Sequence, residues 1–147
     1  MRAKTLLGVV SAWLLLVGCG GGAAEQGGTT PPPAPGGDQI AMGQSLYSEN
    51  CASCHGAAGE GKGGAPPVVG AGALPLDPRP GSKRAAQFKT AADVGGWVKA
   101  NMPPKAPGSL SDDQYWAILA FDLKANGVDL GGKRLDAALA QTLVIPR

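Results

Sequence analysis

Histidine, cysteine and aromatic residues are scarce in this 147-residue sequence, and each scarcity limits the classes of protein that fit. A structural zinc site needs about four Cys or His ligands, and this chain offers only three that are clustered. Aromatic residues make up 5% of the chain, so a core built from protein alone would be thin. The net charge is +2, too close to neutral to indicate nucleic-acid binding. No apolar run reaches the roughly 20 residues that a membrane-spanning helix needs.

The most specific feature is the run Cys-Ala-Ser-Cys-His at residues 51–55. Two cysteines separated by two residues and followed at once by histidine have the spacing of covalent c-type haem attachment. Each thiol adds to one vinyl group of the porphyrin, and the residue after the second cysteine is placed to bind the iron. Cys51, Cys54 and His55 are therefore predicted to bind one haem c, with His55 as a metal ligand.

Three other interpretations of the two cysteines stay open at this point. A zinc site would need a further ligand, and the third cysteine lies far from this pair. A thioredoxin-like redox pair would lie beside a βαβ pattern, which the flanking sequence lacks. A disulfide between Cys51 and Cys54 would close a very tight loop and would leave His55 unexplained.

The N-terminus has the features of an export signal. Two basic residues precede an apolar run of about a dozen residues. The run ends Leu-Val-Gly-Cys, which resembles the bacterial lipobox, so residues 1–18 are predicted to be a lipoprotein signal peptide and Cys19 to be lipidated. Residues 19–37 are rich in glycine and proline and are predicted to be a tether. By resemblance to known sorting rules, Gly20 favours a periplasm-facing lipoprotein of the outer membrane.

The folded part of the chain is predicted to span residues 38–127. Apolar residues recurring at helical spacing predict helices over about 39–50, 91–100 and 112–125. Residues 128–147 form a C-terminal extension with a short helical stretch, and the sequence assigns it no role.

Helix starts are indicated by capping residues. Asp38 is a plausible N-cap for the first helix. Thr90 with Asp93 resembles a capping box ahead of the second, and Ser111 with Gln114 forms a complete one ahead of the third.

The remaining predicted site residues surround the haem. With no second histidine, the sixth iron position is left to methionine, lysine, water or nothing. Met102 precedes two prolines at a helix end and is predicted to bind the iron, whereas Met42 lies on the first helix and is poorly placed. Pro66 is predicted to accept a hydrogen bond from the ring of His55. Trp97 is predicted to pack against the porphyrin.

Together these features resemble the class I (monohaem) cytochromes c, in a lipoprotein-anchored bacterial form. The resemblance covers about residues 38–127 and also rests on Gly43, Tyr47 and Phe121. It implies an all-α fold in which three main helices wrap around one covalently bound haem. The first and last helices are expected to cross at Gly43 and Phe121. The sequence departs from the family in its proline-rich loop at 71–87 and in its C-terminal extension.

The expected function is one-electron transport in the cell envelope, with the iron cycling between ferrous and ferric states. Because both axial positions would be filled, the chain is expected not to be an enzyme and to have no small-molecule substrate. Its expected partners are a donor and an acceptor protein, together with the membrane that holds the anchor. Two alternatives stay open. One is a peroxidase-like haem enzyme or ligand sensor with an open sixth position, and the other is an electron-entry subunit of a membrane complex.

Overall fold

A computed structural model describes residues 36–146, and it forms helices where apolar residues recur at helical spacing. This part of the chain contains no β-strand, only two isolated β-bridges, so the predicted all-α fold is confirmed. None of the helices between residues 36 and 146 has the length and apolar character needed to cross a membrane. The five helices are α1 (Gly36–Asn50), α2 (Ala52–His55), α3 (Ala91–Asn101), α4 (Asp112–Ala125) and α5 (Ala137–Thr142).

Both predicted capping boxes are present at the starts of α3 and α4. The backbone N–H of Ser111 donates to Oε1 of Gln114 (2.8 Å), and the backbone N–H of Gln114 donates to Oγ of Ser111 (3.3 Å). At α3, the carboxylate of Asp93 accepts from the backbone N–H groups of Thr90 and Lys89, each at 2.8 Å. These hydrogen bonds hold the pKa of Asp93 below its ordinary value. Local sequence is therefore enough to fix where these two helices begin.

The first helix begins earlier than the sequence predicts. α1 begins at Gly36, so Asp38 lies in its first turn rather than at its N-cap. Gly36 is buried, and a Cβ there would lie 2.5 Å from the carbonyl oxygen of Lys133. Packing against the C-terminal extension accompanies the extra turn, and no short-range pattern could have revealed it. Cys19, the signal peptide and most of the tether lie outside the described residues.

α1 and α4 cross at Gly43, where α1 has no side chain. A Cβ on Gly43 would lie 1.9 Å from the carbonyl oxygen of Ala117, so only glycine lets the two helices approach this closely. One turn further along α1, the ring of Tyr47 packs on that of Phe121 with centroids 5.4 Å apart. The crossing of the first and last main helices, expected from the resemblance, is confirmed.

The C-terminal extension packs into the core rather than extending freely. The side-chain amide of buried Gln39 donates to the carbonyl of Leu135 (2.8 Å) and accepts from its N–H (2.7 Å). Further along, the N–H of Ala91 donates to the carbonyl of Leu143 (2.8 Å). The extension thereby ties α1 to the start of α3. It adds Leu135, Ala140 and Ile145 to the buried apolar cluster.

The proline-rich loop is ordered around one buried arginine. Arg84 is 8% exposed, and its guanidinium lies 3.8 Å from the centroid of the Phe88 ring. The same group donates to four backbone carbonyls, those of Pro75, Leu76, Asp77 and Ala86. Five donors in a rigid fork suit arginine to this task. The surface loop predicted at 71–87 is thus held by a side chain that the sequence did not single out.

α4 also carries a buried acid. Asp122 is 9% exposed, and its Oδ1 has no hydrogen-bond partner among residues 36–146. Burial, reinforced by the charge of Asp122, raises the pKa values of Tyr47 and Cys51. An acid in this position is an exception to the rule that buried polar groups are paired.

We expect Gly43→Ala to destabilise the holoprotein by about 1–3 kcal/mol or more, because the added methyl group overlaps the Ala117 carbonyl. Gly37→Ala is the matched control, since it lies in the same helix and its Cβ would meet nothing within 4 Å. The control should be neutral or stabilising by up to about 1 kcal/mol. Denaturant unfolding followed by circular dichroism measures both. Equal midpoints for the two variants would contradict the close crossing.

Candidate haem site

The segment from the end of α1 through α2 carries both cysteines of the motif. The N–H of Cys51 donates to the carbonyl of Tyr47 (2.8 Å), and the N–H of His55 donates to the carbonyl of Cys51 (2.9 Å). Cys51 is half-buried, Cys54 is exposed, and both thiols are free, so the disulfide alternative is not formed. Burial, reinforced by the charge of Asp122, raises the pKa of the Cys51 thiol to about 11.

The ring of His55 is oriented by a backbone carbonyl. Its Nδ1 lies 2.8 Å from the carbonyl oxygen of Pro66. A carbonyl oxygen can only accept, so Nδ1 carries the ring proton and Nε2 keeps its lone pair for a metal. Such a hydrogen bond fixes the orientation of a metal-binding imidazole. The structure thus brings these two predicted site residues into contact.

The glycine-rich loop that carries this carbonyl is held at both ends. Gly56 has a φ of +85°, a conformation that suits glycine, and its carbonyl accepts from the hydroxyl of Tyr47 at 2.9 Å. At the far end, Nδ2 of Asn126 donates to the carbonyl of Val68 (2.8 Å) and Oδ1 accepts from the N–H of Gly70 (3.0 Å). Residues at the ends of α1 and α4 therefore set the path of the loop.

Met102 lies directly after α3 in extended backbone (φ −124°, ψ 147°). Its N–H donates to the carbonyl of Val98 (2.7 Å), and its carbonyl accepts from the hydroxyl of Tyr115 (2.7 Å). Its side chain is half-buried, whereas Met42 on α1 is 39% exposed. Of these two methionines, Met102 is the one held on an irregular segment by another helix.

Trp97 packs edge to face on Phe88, with ring centroids 6.3 Å apart and ring planes at 71°. It also lines a cavity of about 330 Å³ together with Arg84, Asp93 and Asn101. Trp97 is half-buried, so part of its surface is free to contact a further apolar group. Its contact with a porphyrin stays a prediction.

The donor groups of this site suit a haem better than a zinc ion. Between residues 36 and 146, no three His, Cys, Asp or Glu side chains are grouped to hold a metal ion. The site instead offers two free thiols beside one oriented imidazole, which are the groups that covalent haem attachment uses. Leu74, Leu76 and Val98 are half-buried and pack against the apolar core cluster.

Residues 38–121, more than half of the chain, match the family described as "Cytochrome C oxidase, cbb3-type, subunit III". The chain belongs to this family. It is a c-type cytochrome domain, and its cofactor is a covalently bound haem. The small all-α cytochrome c fold and the haem c cofactor, both predicted from the sequence, are confirmed.

Three proteins are similar to this cytochrome domain. The thiosulfate dehydrogenase of Stutzerimonas stutzeri (strain A1501) is 34% identical over 88 residues, which cover 58% of this chain and 27% of the relative. That of Allochromatium vinosum is 34% identical over 87 residues, covering 55% and 29%. The crystal structure of the sulfane dehydrogenase SoxCD from Paracoccus pantotrophus has a TM-score of 0.57 at 33% identity, covering 73% of this chain and 53% of that chain. The chain thus spans less than a third of the curated relatives that it matches.

These relatives correct one expectation. The prediction that the chain is not an enzyme is wrong, because the proteins that it resembles are named as dehydrogenases, which are enzymes. The prediction treated filled axial positions as excluding an enzyme, whereas a haem domain can be the electron-transfer part of one. Electron transfer and redox partner proteins follow from membership of the family.

Sequence reasoning missed the groups that hold the backbone around the predicted ligands. It assigns no hydrogen bond to Tyr47, Tyr115 or Asn126. The partners of Asn126 in the glycine-rich loop lie 56 and 58 residues away along the chain, so no local pattern could have indicated them. The position of Tyr47, one helical turn before the first cysteine, was the one available signal.

Proposed function

We propose that this cytochrome domain carries single electrons in the bacterial cell envelope, with iron bound between His55 and Met102. The observation that carries the proposal is the pair of free thiols, Cys51 and Cys54, ahead of an imidazole already bonded to Pro66. When bound, the haem supplies an iron that alternates between ferrous and ferric states. The chain's own residues bind, orient and shield that iron.

Each proposed iron ligand has a separate task. The hydrogen bond from His55 to Pro66 leaves Nε2 as the one ring atom able to bind a metal, and it prevents the ring from rotating. The thioether of Met102 would be the second iron ligand from the chain, where it would exclude water and other ligands and favour the reduced iron. A rigid pair of ligands suits a carrier, because the site then changes little between its two states.

The names of the relatives support an inorganic sulfur compound as the source of the electrons. Two relatives are named for thiosulfate and the structural neighbour for sulfane. The proposed role is that of the cytochrome that receives the electrons released by such an oxidation and passes them to an acceptor protein. Residues 62–105 carry seven basic and two acidic residues, a balance that would attract acidic protein partners.

The location in the cell envelope rests on the N-terminal sequence. The export signal and the lipobox-like run ending in Cys19 favour a lipid anchor. Acyl chains on that cysteine would hold the domain at a bilayer, each buried CH₂ adding about 0.8 kcal/mol. Covalent haem attachment outside the cytoplasm is consistent with export.

We expect Met102→Ala to remove the methionine–iron charge-transfer band of the ferric protein and to lower the midpoint potential by on the order of 100 mV. The wild type should titrate as a one-electron couple, and Met42→Ala, as control, should match it. Absorption spectra and redox titration measure these effects. Survival of the band in Met102→Ala would exclude Met102 as a ligand. A high-spin wild type that reacts with peroxide would instead favour the open-position alternative.

Deleting this chain from its source bacterium should slow the reduction of envelope c-type haem after thiosulfate is added. Wild-type protein should restore the rate, and Met102→Ala should not, because electrons would have to pass through the altered iron. The rate with ascorbate serves as control. An unchanged thiosulfate-driven rate in the deletion strain would contradict the proposed electron source.

Cys19→Ser should move the protein from the membrane fraction to the soluble fraction, since serine cannot form the thioether to a diacylglycerol. Ultracentrifugation followed by haem staining measures the distribution. Cys54 is unsuitable as a control because it is predicted to bind haem, so Ser53→Ala serves instead. Continued membrane retention of Cys19→Ser would contradict lipid anchoring.

A further inference from the structure

The chain contains two tyrosines, and both hydroxyls bind backbone next to the two proposed iron ligands. Tyr47 on α1 donates to the carbonyl of Gly56, the residue after His55, at 2.9 Å. Tyr115 on α4 donates to the carbonyl of Met102 itself at 2.7 Å. The two tyrosines are 1% and 5% exposed; the hydrogen bond of Tyr47 is buried and that of Tyr115 is partly buried. Two crossing helices thereby each reach one ligand segment.

The two ligand segments differ in what else holds them. His55 lies in a helical turn and is bonded to Pro66, and the predicted haem attachment adds two covalent bonds within the same turn. Met102 keeps one backbone bond, to Val98, and is followed by two prolines that have no N–H to donate. Within residues 36–146, the hydroxyl of Tyr115 makes the sole hydrogen bond that reaches Met102 from another helix.

The backbone at Tyr115 is itself held in place by hydrogen bonds. Its N–H donates to the carbonyl of Ser111 (3.0 Å), and the capping box of α4 fixes that turn. A second link between the same helix ends, the ion pair of Lys99 with Asp112, has side chains that are 51% and 68% exposed. Exposed pairs of this kind contribute little. The buried tyrosine is therefore the stronger of these two connections between α3 and α4.

From this arrangement we infer that Tyr115 is a positioning residue for Met102. Its hydroxyl fixes the carbonyl of the methionine, so that the thioether would remain bound to the iron. The inference rests on the proposed His55/Met102 ligation. If Tyr115 positions Met102, the affinity of an external ligand that displaces the methionine depends on a hydroxyl that does not contact the iron.

The test is displacement of the sixth ligand by imidazole in the ferric holoprotein. Tyr115→Phe keeps the ring and removes the hydroxyl, so imidazole should bind roughly three- to tenfold more tightly, as expected for one lost hydrogen bond. Tyr47→Phe makes the same chemical change on the covalently held side and should shift the affinity by less than about twofold. Asp112→Asn, which removes the exposed ion pair, should bind imidazole as the wild type does.

The outcomes separate this inference from the ligation on which it rests. A wild type without a methionine–iron charge-transfer band overturns both. A wild type with the band and a Tyr115→Phe variant of unchanged imidazole affinity overturns the positioning role alone. Denaturant unfolding is measured alongside, because a purely structural role would lower stability without changing that affinity.

A second measurement serves if Tyr115→Phe does not yield folded holoprotein. Incorporating 3-fluorotyrosine in the Tyr47→Phe background labels Tyr115 alone and makes its hydroxyl a stronger donor without removing it. Imidazole should then bind more weakly than to the same variant with ordinary tyrosine. Equal or tighter binding overturns the inference.

Discussion

The distance between α1 and α4 is set where Gly43 meets the carbonyl of Ala117, and the rest of the domain depends on that contact. α1 leads directly into the cysteine motif, so its position decides where His55 lies. α4 presents Tyr115 at its start and Asn126 at its end, which hold the methionine segment and the glycine-rich loop. A wider crossing would move both sets of contacts at once.

The parts of this molecule that were predictable are those encoded over a few residues. The haem motif and the capping box of Ser111 with Gln114 each fall within five residues, and local chemistry decides them. The start of α1 was missed because it packs against residues near 133. The bond between Gln39 and Leu135 spans 96 residues, and Arg84 satisfies carbonyls that only folding brings together. The wrong prediction that the chain is not an enzyme had another origin, because it concerned the kind of protein in which such a domain occurs and not the fold.

The described core extends beyond the segment that defines the family. The family match ends at residue 121, whereas the buried cluster includes Leu123, Val128, Leu135, Ala140 and Ile145. Asn126, which ties down the glycine-rich loop, also lies past that boundary. Residues 143–145, which follow the family match, form backbone hydrogen bonds and a β-bridge with residues 89–91 at the start of α3. A fragment cut at residue 121 would leave Val94 and Leu119 without these apolar neighbours.

The charge on the buried side chain of Asp122 depends on the pH of the surrounding solution. Burial raises the pKa of this carboxyl from 3.8 to about 7, so the folded chain holds the proton more tightly than the unfolded chain does. The contribution of this group to folding is fully present below about pH 4, and it is lost as the pH rises through 7 and the buried carboxyl becomes negatively charged. Asp122 by itself therefore contributes more to the stability of the fold at mildly acidic pH than at alkaline pH.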